Sequence, residues 1–274
     1  MEIIFRNFIK LLSNGAFGSY RDIEEMSPFK WGVLLEVAKT NEVSDYVCAG
    51  ILKEQELGKT PIPQKIYDSA KGNGQPRSTD SEIVFLSSHF KQKKFSNVFL
   101  NKRLNKIIYE EMHRIDTSVE TLGFLDKAID VSGCYLTFGI DVKALVGIGL
   151  CLRHDGDKID FVKLDAWVKL LNMEKMMNVL ANLLVCLFRF EPSELPFLYK
   201  ENAKLRRSIY SDLAKHTAKV DYAITNKGLQ LSELRADFIG KPSFRMLSHF
   251  SLHPLESSSR FVGNIYRSLS NIEE

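Results

Sequence analysis

One segment of the 274-residue chain gathers side chains able to hold a polyanion. Between residues 91 and 106 it carries Lys91, Lys93, Lys94, Lys102, Arg103 and Lys106, six positive charges with no acid among them. Phe95 and Phe99 lie between the cations. Ammonium and guanidinium groups pair with phosphate oxygens, and aromatic rings give bases a surface to stack on, so the segment is a candidate contact for phosphate or nucleic acid. The plainer alternative turns both phenylalanines into a core and leaves the lysines as a solvated helix face. The whole chain favours that alternative, because 37 basic residues against 34 acidic ones give a net charge of only +3. A smaller basic group follows at Lys204, Arg206, Arg207, Lys215 and Lys219.

Other residue types with chemical potential are scattered. Cys48, Cys134, Cys151 and Cys186 each stand among apolar neighbours with no CxxC pair, which reads as four buried reduced thiols. Of the six histidines, His249 and His253 come closest to metal-ligand spacing. Pro254 follows His253 directly and takes it off any helix, so no metal site is expected. No nucleophile elbow, phosphate loop or dinucleotide fingerprint is present. The residues therefore nominate no catalytic group, no cofactor and no metal.

The elements that would carry these residues are helical. Residues 2–13 place Ile3, Ile4, Phe8, Leu11 and Leu12 at helical spacing, with Asn14-Gly15 as a stop. Ser27-Pro28 opens a second helix that buries Trp31, Leu34, Leu35 and Ala38, and a third runs from Val43 to about Glu54. Residues 55–80 hold Gly58, Pro61, Pro63, Gly72, Gly74 and Pro76, which implies loops around one short helix. Helical spacing resumes from Ser81 to Ile115. Thr117-x-x-Glu120 reads as a capping box for a helix ending near Gly139. Further helices are expected over Val142–Arg153, Phe161–Leu171 with Asp160 as cap, Met173–Phe190 and Asn202–Lys219, with a turn near Asn226-Lys227-Gly228. Ala218–Ile224 is the best strand candidate. The expected fold is mainly α, a multi-helix bundle with at most a small sheet or hairpin. It divides into a helical part at 1–57, a loop-rich connector at 58–80 and a helical bundle at 81–274. No apolar tract reaches the roughly 20 residues that cross a bilayer. Charged residues interrupt the N-terminus, so a cytoplasmic protein with no membrane partner is expected.

Two blocks carry a family resemblance. Residues Gly149 to Phe197 read GLCLRHDGDKIDFVKLDAWVKLLNMEKMMNVLANLLVCLFRFEPSELPF, and Trp31 to Ala38 read WGVLLEVA. The longer block resembles the C-terminal helices of a family of uncharacterised bacterial nucleotidyltransferases common in Bacteroidetes, with a His/Gly turn, an Ile-Asp-Phe-x-Lys-Leu helix and a Pro-Phe exit. The shorter block is similar to that family's opening helices. The resemblance implies a Gly-Ser turn for nucleotide phosphates and, about ten residues later, an Asp-x-Asp strand for Mg²⁺. Carboxylates at i and i+2 of a strand share one face and can hold one ion together. Residues 53–131 offer no such pair. Gly18-Ser19 and Asp22-Ile23-Glu24 are too close together, and are expected to form an exposed turn before a short acidic helix. Asp157 and Asp160 are three apart, and Asp160 suits a helix cap better. The expectation is thus a non-catalytic relative acting as a binding or interaction module. Its partner would be another protein, or a nucleotide or nucleic acid held by the 91–106 segment. The alternative is an active nucleotidyltransferase whose site lies elsewhere in the chain.

Overall fold

The computed structural model describes residues 3–57, 60–73, 94–196, 200–207, 209 and 249–270. Among them all regular structure is helical and there is no strand, as a mainly α bundle requires. The helices are α1 (Ile3–Phe17), α2 (Pro28–Thr40), α3 (Ser44–Leu57), α4 (Gln64–Asn73), α5 (Val98–Met112), α6 (Val119–Thr137), α7 (Val142–Asp155), α8 (Phe161–Leu170), α9 (Glu174–Phe188) and α10 (Pro254–Ser270). The strand candidate Ala218–Ile224 and the turn at 226–228 lie outside the described residues.

The described residues fall into two compact units. The first takes α1 to α4 with residues 182–191 and 201–209, and the second takes 94–181, 192–200 and 249–270. In the first unit α1 packs along α3, and the crossing is set by two glycines. A Cβ on Gly15 would clash with the Tyr46 carbonyl oxygen, and one on Gly50 with that of Leu11. Phe8, Leu11, Leu12, Trp31, Leu34, Val47 and Ile51 are buried there. Helix α1 thus does not stop at Asn14-Gly15 but runs on to Phe17, because this contact supports Gly15 from outside the helix. The chain leaves α1 at Gly18, whose φ of +67° suits a residue without a Cβ.

In the second unit α6, α7, α8 and the start of α9 close around Phe124, Leu125, Tyr135, Leu145, Ile148, Leu164, Met176 and Leu180, all buried. Local capping explains several boundaries. Ser27 accepts the Lys30 N–H with Pro28 at the first helical position, Asp141 accepts the Ala144 N–H, and Asp160 accepts those of Val162 and Lys163. The capping box at Thr117 does not form. Thr117 Oγ1 donates instead to the carbonyls of Glu111 and Arg114, and the next residue, Ser118, gives its N–H to the Glu111 carboxylate at 2.8 Å. Helix α6 begins after Ser118, which makes no side-chain cap.

Candidate functional site

Three of the six cations nominated by the sequence stand on α5. Asn97 opens this helix, its side chain accepting the N–H groups of Phe99 and Leu100. Leu100, Leu104, Ile107, Ile108 and Glu111 turn inward. Opposite them, at steps of three and four, come Phe99, Lys102, Lys106, Tyr109 and His113, one outward stripe with Arg103 beside it. Phe99 is 69% exposed and Tyr109 65% exposed. The Tyr109 and His113 rings lie 4.2 Å apart, and His113 Nδ1 meets the Tyr109 carbonyl at 2.7 Å, which fixes the end of the stripe. Val98 and Met112 are also exposed on its flank.

The cations on α5 differ in their engagements. Arg103 Nη1 donates to the Leu170 carbonyl at the end of α8 (2.9 Å), and Lys106 faces Glu110 at 3.6 Å with both side chains exposed. Such an exposed pair contributes little, and it leaves Lys106 available to a stronger partner. Lys102 forms no ion pair among the described residues. Lys91 and Lys93 lie outside the described residues.

Lys94 behaves differently from a solvated lysine. Its side chain is 8% exposed, and Nζ donates to Asp126 and to Asp130 (2.9 Å) on α6. Burial works to lower its pKa, but these two carboxylates outweigh burial and raise it. Lys94 is a structural cation. The expectation that both phenylalanines face the core is corrected likewise. Phe95 is 4% exposed and packs against His253, whereas Phe99 points outward. No helix joins the two, because α5 starts only after Asn97.

The remaining buried charges also hold the fold. Glu256, 2% exposed, accepts the N–H groups of Ser96 (2.8 Å) and Asn97 (3.1 Å) and Nε of Arg260 (2.6 Å). Glu111 takes the Ser118 N–H and the Lys163 ammonium, and Lys163 also donates to the Asp116 carbonyl and the Ser118 hydroxyl. Burial works to raise the Glu111 carboxyl, but those donors hold it below the usual value.

The Gly18–Glu24 stretch forms no helix. It is an extended strap lying back along α1, in place of the expected turn and acidic helix. Ser19 meets the Ser13 hydroxyl at 2.7 Å, the Tyr20 hydroxyl reaches the buried Glu54 at 3.3 Å, and Arg21 Nη1 donates to the Leu187 carbonyl at 2.7 Å. Glu24 is gripped by Arg6 and Lys10, whose hydrogen bonds bring it down to about 2. Asp157 lies in a short 3₁₀ turn and Asp160 caps α8, so neither pair of acids forms an ion-binding face. Among the described residues no three His, Cys, Asp or Glu side chains are grouped to hold a metal ion. Burial pushes the thiols of Cys48, Cys134 and Cys151 up, away from the reactive thiolate.

These shifts predict the response to acid. The Glu24 carboxyl ionises at about 2 in the folded chain against an ordinary 4.5, so the unfolded chain takes up its proton first. That stabilisation is complete above the ordinary value and is lost as the pH falls toward 2. His253, 1% exposed with neither ring nitrogen in hydrogen-bond geometry, is pushed below its ordinary 6.5 by burial, with Glu256 opposing. The unfolded chain is then protonated first here too, and stability falls as the pH drops below 6.5. Urea midpoints measured at a series of pH values should show both losses. His253→Leu flattens the upper one and Glu24→Gln the lower.

Set against known protein families, curated proteins and solved structures, the chain matches none of them. Among the described residues no helix is long and apolar enough to cross a membrane.

Proposed function

We propose that this chain is a non-catalytic helical module that works by binding, with the outward stripe of α5 as its contact face. The observation that carries the reading is a division of labour among charged side chains. Glu24, Glu111, Glu256 and Lys94 are all held by partners inside the fold. Phe99, Lys102, Lys106 and Tyr109 are presented to solvent, although two of them are large rings. Interface cores are enriched in such aromatic residues, which suits this stripe to a partner's surface. Kinship to the nucleotidyltransferases rests on the residue patterns alone, and under this reading the chain keeps helices of the kind that flank their catalytic core. The free cysteines fit a reducing compartment, the cytoplasm in this reading.

The test is incubation of the pure protein with Mg²⁺ and labelled nucleoside triphosphates, alone and with protein or RNA acceptors. No transfer is expected. Transfer that follows the protein through purification, and persists in Asp22→Asn and in Asp157→Asn/Asp160→Asn, overturns the non-catalytic reading in favour of an active enzyme with its site elsewhere.

A further inference from the structure

Resting on that reading, we infer that the partner of the α5 stripe is an acidic amphipathic helix of another protein. The spacing comes first. Phe99, Lys102, Lys106, Tyr109 and His113 recur at intervals of three, four, three and four, which is the seam of two heptads. At 1.5 Å per residue the seam is about 21 Å long, enough for a second helix to lie along it. A helix reading such a seam meets a ring at one end, two ammonium groups in the middle and a tilted pair of touching rings at the other.

Charge specifies the rest. Lys102, Arg103 and Lys106 stand along the seam, and the exposed Glu110 is the one acid among these outward positions. A helix that places apolar side chains against Phe99 and Tyr109 must bring carboxylates to the lysines between them. The stems of Lys102 and Lys106 cover apolar surface while their ammonium groups reach those carboxylates. The flanking residues favour protein over nucleic acid. Val98 and Met112 are exposed beside the rings, and aliphatic groups add contact to a protein surface but give a base nothing aromatic to stack on.

The experiment uses the full chain and three labelled probes, followed by fluorescence anisotropy. The first is a designed helical peptide of three heptads with leucine at the seam and glutamate beside it. The second is the same peptide with lysine for glutamate, and the third is single-stranded oligouridylate. The glutamate peptide is expected to bind with a dissociation constant in the micromolar range, as suits a small contact, and to weaken as salt rises. Lys102→Glu/Lys106→Glu should weaken it by about tenfold or more and should create binding of the lysine peptide, a rescue that a merely unfolded variant cannot show. Phe99→Ala/Tyr109→Ala should weaken the glutamate peptide with circular dichroism unchanged. Binding of oligouridylate without binding of the glutamate peptide overturns the helical partner and leaves the binding module standing. Binding of no probe overturns both.

Discussion

Glu256→Ala should lower the stability of the second unit by about 3–5 kcal/mol, the range found when one partner of a buried ion pair is removed. The carboxylate is 2% exposed and serves three donors, so its loss strands more than a charge. The N–H groups of Ser96 and Asn97 sit in the turn that starts α5. Both are part-buried, so each left unpaired adds up to about 1 kcal/mol, the low end of the range for a stranded donor. Arg260 keeps the Gly133 carbonyl (3.3 Å) and the Thr137 hydroxyl (2.9 Å), but its charge then has no carboxylate in contact among the described residues. Glu256→Gln is the informative comparison. Its oxygen can still accept from one donor, but its amide nitrogen faces donors, so it should fall between alanine and the native residue. Urea unfolding followed by circular dichroism measures both. A loss below about 1 kcal/mol for the alanine variant would show that water replaces the carboxylate, and would contradict its role as the tie between α10 and the turn before α5.

The same turn shows where the sequence was legible and where it was not. A cap needs only a side chain and the backbone two or three residues ahead, so Ser27 and Asp160 could be read directly. Thr117-x-x-Glu120 has the same local pattern and fails because the Thr117 hydroxyl turns back to the carbonyls of Glu111 and Arg114, six and three residues before it. The basic segment failed on distance as well. Lys94 pairs with acids 32 and 36 residues away, and nothing within 91–106 distinguishes it from Lys102. The spacing of Phe95 and Phe99 suggested one helix face, but spacing bears on facing only inside a helix, and Phe95 precedes the Asn97 cap. Outward aromatic residues can therefore be recognised only once the helix start is known. The ends of α2, α8 and α9 make a similar point. Each is followed by a residue with φ of 55°, and Asn172 belongs to a type known for it, but Glu42 and Arg189 do not.

Gly15 is where the local reading failed most, and with Gly50, which lies inside the expected third helix, it marks where the energetic consequence is largest in the first unit. Asn-Gly usually ends a helix, because glycine adopts the left-handed turn at low cost. Here Gly15 remains helical and gives its missing side chain to the approach of α3 instead. A Cβ at Gly15 would meet the Tyr46 carbonyl and the Gly50 nitrogen, and one at Gly50 would meet the Leu11 carbonyl. All of these are backbone atoms, so no rotamer can relieve the contact and the two helices must separate. Helix propensity works the other way, since alanine in place of a helical glycine is worth about 1 kcal/mol. Overpacking in a closed core costs about 1–3 kcal/mol and more when the backbone must move, so the clash should win at both sites. Gly15→Ala and Gly50→Ala are each expected to destabilise by about 3 kcal/mol, and the double variant by less than the sum, because one separation of α1 from α3 relieves both contacts. Gly32→Ala is the control, since its added methyl would have nothing within 4 Å and should stabilise α2. Thermal unfolding of the four variants decides the matter. If Gly15→Ala and Gly50→Ala melt at or above the native temperature, the close crossing of α1 and α3 is not a feature of the folded protein.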